Sequence, residues 1–472
     1  MLFNSFGFLI FFVVVTLLYY LTNTAWRWLL LLLTSCFFYM TFIPVYILVL
    51  FGIIIIDYTA AIFMERMQDR KKFLLLLSII ANVAVLAVFK YYNFFVENIN
   101  SLLGLWHVKF AMLPLWKIIL PIGLSFHTFQ AMSYTIEVYR GNQRAEKHFG
   151  IYALYVMFYP QLVAGPIEGP RQLLHQFYER HAPDFDGIAA GLKTMMLGFF
   201  MKVVVADRLA IFVDYVYAHP AVHSRLGLVI AALFYSFQIY GDFAGYSLIA
   251  IGAAKVMGFR LSDNFHQPYF AASLAAFWKR WHISLSTWFK KYLYIPLGGN
   301  RVNKGHHLFN VLLVFLISGL WHGASYTFIV WGLLHGIFVL IESFVKKRIK
   351  KKDTMVSYMP GVVYTFVLVT ICWIFFRSPS LHAAFSFISR IISPSTPWLI
   401  KEEFEERALL LYSFFGIACI IIADGKTVFF REKQLFLFHK NALVRLVSCI
   451  TLLILILMLG VFDGGQFIYF QF

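Results

Sequence analysis

The sequence predicts an all-α, polytopic membrane protein, and three observations carry that prediction. First, 61% of its 472 residues are hydrophobic and only 13% are charged, too few polar groups to cover a soluble surface. Second, uncharged runs recur along the whole chain, and about 20 apolar residues of helix cross a ~30 Å hydrocarbon core. Third, Lys and Arg outnumber Asp and Glu by 40 to 23 and gather between the runs, as they do in cytoplasmic loops. Allowing for doubled and interrupted runs, roughly ten to thirteen membrane helices are expected, with interfacial helices beside them. No repeat and no long polar linker divides the chain, so a single integral domain over 1–472 is expected.

No charge precedes Arg27. The first run lacks a basic flank and a small-residue cleavage site, and reads as an uncleaved helix. Trp28 to Ile56 contains Pro44 and reads either as one long span or as two short helices. Further uncharged runs are Phe73 to Phe89, Ile118 to Ile136, Phe149 to Ile167, Leu226 to Gly241, Leu308 to Ile341, Thr354 to Phe376, Ala408 to Ala423 and Leu446 to Phe462. The basic loops Arg66 to Lys72, Lys346 to Lys352 and Lys426 to Arg445 are expected in the cytoplasm, and the acidic KEEFEERA outside. Counting crossings from Lys352 places the C-terminal tail, 463–472, on the outer side. The basic excess reads as loop charge, with no nucleic-acid partner. Cys36, Cys372, Cys419 and Cys449 are scattered without a C-x-x-C pair and read as apolar core residues.

Polar groups inside apolar runs are the candidate functional residues. The stretch VFLISGLWHGASYTFIVWGLLHG carries His322 and His335. Its run, Leu308 to Ile341, is short for two full crossings and predicts a short hairpin broken at Gly319, Gly323, Ala324 and Ser325. His322 would then lie about 14 residues into the first arm, roughly 21 Å along the helix. It reads as a site residue or as a core histidine bonded to a carbonyl; His335 leans to the structural role. Between 271 and 304 stand Lys279, Arg280, Lys290, Lys291, Arg301 and Lys304 with no acidic residue. That segment reads as interfacial helices anchored by Trp278, Trp281 and Trp288. The same charge beside a cavity would attract a phosphorylated ligand, which makes Lys279, Arg280, Trp281, Ser284, Lys290 and Lys291 binding candidates. Asp242, among the glycines of FQIYGDFAGYSLIAIG, is expected to pair with Lys255 or a tyrosine. Asp242, Trp321, Gly323, His127 and Gln130 are candidate cavity-lining residues, and Glu137 and Glu168 stand at similar Gly and Pro breaks. The histidines lack close ligand spacing with Cys or carboxylates, so no metal is expected. No G-x-S-x-G elbow appears, so no serine acyl-enzyme is expected either.

The stretches FWKRWHISLSTWF, SGLWHGASYTFIVWG, YGDFAGYSLIAIG and LVAGPIEGPRQL resemble the membrane-bound O-acyltransferase family. The nearest branch is that of bacterial alginate O-acetyltransferase membrane subunits, with teichoic acid D-alanylation proteins as cousins, and the likeness runs over essentially the whole chain. It implies a ring of tilted helices in which a tunnel from the cytoplasm meets a funnel from outside, in a bacterial cytoplasmic membrane. By the same resemblance His322 is the catalytic histidine and His282 the second histidine, of the RWHxSLS segment. The implied reaction moves an acyl group, by likeness acetyl, from acetyl-CoA or an acyl carrier protein to a polysaccharide outside, with no bound cofactor. A hydroxyl is a weak nucleophile, and a neutral imidazole can take its proton as it attacks the thioester; His322 is assigned that role, while His282 would orient the donor or stabilise the oxyanion. In the tail FDGGQFIYFQF, Tyr469 is the only hydroxyl. It reads as an interfacial aromatic or, by likeness to the terminal tyrosine motif of cell-surface acylation systems, as a relay. The relay would pass the group to a secreted or membrane-anchored SGNH-type acetyltransferase partner. The alternatives are a transporter or flippase, which would be expected to show two similar halves, and a non-catalytic scaffold for a secreted acyltransferase.

Overall fold

The computed structural model describes residues 1–106, 112–116, 118–163, 165–346, 355–430, 436–462 and 467–468. Among them every regular element is helical, as a backbone without water to solvate it requires. Among the described residues, eight helices are long and apolar enough to cross a membrane, and the apolar Phe6–Leu21, Thr24–Met40 and Leu381–Ile392 are shorter. Packing sorts the chain into two compact units.

The first unit is Met1–Ile188 with Ala253–Ser262. It holds α1 (Phe6–Leu21), α2 (Arg27–Met40), α3 (Ile47–Arg66), α4 (Lys71–Leu86), α5 (Tyr92–Leu105), α6 (Leu124–Tyr139) and α7 (Phe149–Met157), then the one-turn α8 (Tyr159–Leu162) and α9 (Pro170–Leu173). Trp28 to Ile56 is therefore two helices, with Pro44 opening a 3-10 turn, Pro44–Tyr46, ahead of α3. Asp57 of α3 is fully buried. Ser78 donates to it, and the Asn82 amide lies 3.0 and 2.9 Å from its two oxygens, so α4 supplies both partners. Glu168, also fully buried, accepts from the backbone and the hydroxyl of Ser262. Burial pushes its carboxyl up to about 7.

The second unit is Ala189–Gly252 with Asp263–Phe472. It holds most of α10 (Phe185–Phe199) and α12 (Arg225–Val256), with α11 (Asp207–Ala218) between them. Then follow α13 (Leu274–Phe277), α14 (Ile283–Phe289), α15 (Lys304–His322), α16 (Tyr326–Lys346), α17 (Met355–Arg377), α18 (Leu381–Ile392), α19 (Arg407–Phe429) and α20 (Ala442–Leu459). A π-helical turn, Phe200–Ala206, joins α10 to α11. The interior is aromatic: Trp281 and Trp373 have ring centroids 5.1 Å apart, and Trp331 stacks on Trp373 at 5.8 Å. On the exterior, α20 turns Leu446, Ile450, Leu453 and Leu457 outward.

Two expectations are corrected here. The α15–α16 hairpin is not short, because its arms are 19 and 21 residues long and continue past the uncharged run to Lys304 and Lys346. Basic residues at helix ends keep their heads in the interface while their stems stay apolar, so a charge-free window underestimates the helix. His322 is accordingly the last residue of a span-length arm rather than a residue about 14 positions into a short one. Gly319 does not break the helix either. It lies inside α15, where a Cβ would run into the Phe328 carbonyl, just as one at Gly332 would run into that of Phe315. These are close-crossing glycines of the small-residue kind, and the break is at Gly323 to Ser325. The second correction concerns Trp281 and Trp288, which are 1% and 9% exposed and lie in the protein interior rather than in an interfacial belt. Half-buried Trp278 packs on Trp331 and His335.

Gly332→Val should overpack the crossing and cost about 1–3 kcal/mol. A lowered thermal unfolding midpoint in detergent checks this, with Gly52→Ala, at a position where nothing lies within 4 Å of a Cβ, as the comparison.

Candidate active site

The hairpin turn fixes the first histidine. Asn303 caps α15 by accepting from the His306 backbone at 2.9 Å, and extended Gly323 ends it directly after His322. The His322 ring, 4% exposed, meets Trp321, Trp331 and Phe376 edge-on, at centroid distances of 4.9, 5.0 and 5.4 Å. Such pairs contribute about 0.5–1.5 kcal/mol each beyond area burial, so the imidazole is held rigidly. His335, one helical turn beyond Trp331, is enclosed by Trp278 and Trp331 at 5.0 and 5.1 Å.

The second histidine is placed by a polar knot. His282 has φ 44°, and Gln267, with φ 43°, is the other non-glycine residue of positive φ among the described residues. A left-handed conformation is uncommon for such residues and persists where surrounding bonds determine it. Here the Ile283 amide donates to the Asn264 carbonyl at 3.0 Å and the His266 amide to the Arg280 carbonyl at 2.9 Å. The Asn264 side-chain oxygen then accepts from the Ser284 backbone at 3.2 Å and from its hydroxyl at 3.0 Å, and lies 3.2 Å from His282 Nδ1. An amide oxygen only accepts, so Nδ1 carries the proton and Nε2 is the ring's acceptor. Complete burial pushes the imidazole down to about 3, which keeps it neutral at physiological pH. Its ring stands perpendicular to Phe243 at 4.6 Å and 6.1 Å from Trp321. Both histidines thus contact Trp321.

Asp242 does not pair with Lys255, which is exposed, nor with a tyrosine. Its partner is Lys202 of the π-helical turn, whose Nζ lies 2.8 Å from Asp242 Oδ1 and 2.8 Å from Asp207 Oδ1. The glycines of YGDFAG make room for that turn: a Cβ at Gly241 would lie 2.9 Å from the Met201 carbonyl, and one at Gly245 would lie 3.0 Å from the Lys202 amide. The other carboxylate oxygen of Asp242 accepts from the Ile468 backbone at 2.7 Å. Neighbouring Phe467 packs on Tyr246 and Phe243, at 4.4 and 5.7 Å. Tyr469 lies outside the described residues.

A cavity of about 370 Å³ in this unit is bordered by Phe200, Met201, Ala244, Asn264, Tyr240 and Asp424, with the Tyr240 hydroxyl donating to Asp424 at 3.0 Å. Of the basic candidates, Lys279 and Lys290 are exposed, and Arg280 and Lys291 are half-buried. Arg280 also donates to the Gln267 and Phe270 carbonyls. Trp281 belongs to the aromatic core and Ser284 to the Asn264 knot. His127 and Gln130 belong to the first unit. There Gln130 donates to the Tyr155 carbonyl and His127 packs edge-on against Tyr39. No group of three or more His, Cys, Asp or Glu side chains is arranged to hold a metal among the described residues. The sequence reading missed Asn264 and Lys202. A lone Lys in the apolar run GFFMKVVVA was a visible signal for Lys202, and Asn264 had none beyond its place in a polar turn.

The sequence profile described as MBOAT, membrane-bound O-acyltransferase family, matches residues 143–378, which contain both histidines. The chain belongs to this family. It is 38% identical over 410 residues to a Pseudomonas aeruginosa protein described as "Probable alginate O-acetylase", covering 85% of this chain and 76% of that one. It is 36% identical over 401 residues to a peptidoglycan O-acetyltransferase of Helicobacter pylori, covering 79% and 75%. Over 278 residues it is 26% identical to a teichoic acid D-alanyltransferase of Bacillus subtilis, covering 55% and 69%. As a membrane-bound O-acyltransferase the chain is a multi-pass membrane enzyme, which decides against the transporter and the non-catalytic scaffold.

Asn264→Ala removes the acceptor that sets the His282 tautomer and leaves buried donors unanswered, a cost of about 1–3 kcal/mol. Acyl transfer should fall roughly tenfold to a hundredfold. The check is the rate of donor consumption, compared with the thermal midpoint of the same preparation.

Proposed function

We propose that this enzyme takes an acetyl group from a cytoplasmic thioester and delivers it to a polysaccharide of the bacterial cell envelope, with His322 as general base and Tyr469 as first acceptor. The observation that carries the reading is the convergence of His322, His282 and the described tail residues: both histidines contact Trp321, and His282 and Phe467 both contact Phe243. The names of two relatives support an O-acetylated polysaccharide, alginate for one and peptidoglycan for the other.

The Tyr469 oxygen attacks the thioester carbonyl carbon while His322 takes the phenol proton. The carbon–sulfur bond breaks as the carbonyl reforms. The thiolate then receives the proton from His322, leaving the acetyl ester on Tyr469 and a neutral imidazole. A phenol with a pKa near 10 leaves readily, so the ester can pass its acetyl group to a serine of a secreted or membrane-anchored SGNH-type partner and from there to the sugar. The donor is acetyl-CoA or an acyl carrier protein, and both present a pantetheine arm with amide N–H groups. The accepting Nε2 of His282 suits such an N–H, and the cavity bordered by Asn264 is the proposed path of the arm. The exposed cations Lys279 and Lys290 would meet the donor's phosphate. In this reading the enzyme sits in the cytoplasmic membrane with its tail on the outer side.

Intact-protein mass spectrometry after supply of donor tests the reading. Wild type should gain an acetyl group mapped to Tyr469, Tyr469→Phe should gain none, and His322→Ala should label about 10²–10⁴-fold more slowly. An adduct that persists in Tyr469→Phe yet needs His322 would remove the relay and keep the base.

A further inference from the structure

The C-terminal segment is tied down at three successive points, all on one short stretch of chain and its partner carboxylate. Arg208 donates to the Leu459 carbonyl at 2.6 Å, at the end of α20. The Val461 amide donates to the Val203 carbonyl at 2.9 Å. The Ile468 amide then donates to Asp242 Oδ2 at 2.7 Å, while Asp242 Oδ1 is held by Lys202 at 2.8 Å. Residues 202, 203 and 208 belong to the π-helical turn and the start of α11. A π-helical turn exposes backbone carbonyls that a regular helix would use internally, and such turns are frequent at functional sites. Phe467 and Ile468 are 0% and 3% exposed, so this part of the tail is seated in the protein rather than lying over it.

The charges explain why the seat suits a peptide N–H. Lys202 faces two carboxylates, Asp207 and Asp242, so the buried cluster carries one formal negative charge more than positive. A buried carboxylate oxygen needs a donor, and the Ile468 amide provides one without adding a side-chain charge. Withdrawing the tail would leave that oxygen without this bond.

We infer that Asp242, held by Lys202, is the anchor of the C-terminal tail and acts as a positioning residue: it seats Phe467 and Ile468 against Phe243 and so fixes where Tyr469 starts. The positioning role, though not the anchoring itself, rests on the proposed relay. The anchor acts through a backbone group, so it constrains the tail's path more than its side chains.

The test uses the full chain in detergent and two routes to breaking the bond. Ile468→Pro removes the N–H and leaves the ion cluster intact, Asp242→Ala removes the acceptor, and Ile468→Leu keeps both. With no donor present, chymotrypsin cleavage after Tyr469 should be slow in wild type and Ile468→Leu and fast in the other two. With donor, Tyr469 acetylation should fall about tenfold or more in Ile468→Pro, the scale of one hydrogen bond to a charged group, and Ile468→Leu should restore it. Equal cleavage in all four proteins overturns the anchor. A released tail with Tyr469 acetylation unchanged overturns the positioning role. Protected wild-type tails that never acquire an acetyl group support the anchor and remove the relay instead.

Discussion

Water does not reach the hydrocarbon layer, and every polar group carried into it has to be answered by another part of the protein. Asp57 is answered by Ser78 and Asn82 of the next helix, and Asp242 by a lysine forty residues earlier in the chain and by the tail's backbone. Aliphatic surfaces such as that of α20 face lipid and would tolerate sliding or rotation. The carboxylate pairs do not, because displacement by one residue would leave a charge unanswered at a cost of several kcal/mol. The glycines follow from the same demand: Gly241 and Gly245 let α12 approach the lysine-bearing turn closely enough for the ion pair to close.

The candidate active site uses that rule for chemistry. A buried imidazole is kept neutral by its surroundings, and a neutral ring is the form that accepts a proton from a hydroxyl. His282 shows how far the placement is specified. It is held in a left-handed conformation that ordinarily costs about 1–3 kcal/mol, and one amide oxygen at Asn264 answers its ring together with both donors of Ser284. His322 is packed among the rings of Trp321, Trp331 and Phe376. The two rings share Trp321 as a neighbour.

The hydrophobic pattern was sufficient to read an all-α membrane protein, because apolar runs of span length leave no other economical structure. The helix ends were less legible. Charge-free windows shortened the α15–α16 hairpin, since Lys304 and Lys346 belong to the helices even though they are polar. Glycine was misread at position 319 for a related reason: a residue without a side chain serves both to break a helix and to let two helices touch, and the sequence does not say which. The tryptophans of the 278–288 segment were read as interfacial because amphipathic composition suits both a membrane surface and an aromatic core in contact with a loop.

The sequence by itself determined the class, the family and the two histidine motifs, since these depend on residues near one another in the chain: hydrophobic runs, basic loops and the RWHISLS and LWHG stretches. Only the tertiary structure decided which groups meet at the candidate site. Asn264, Lys202 and the tail's Ile468 amide reach their partners across separations of 18, 40 and 226 residues. Their contribution lies in an oxygen's geometry, in a π-helical turn and in a backbone N–H, none of which leaves a periodic or compositional trace. Partners of that kind exist only once the helices have packed.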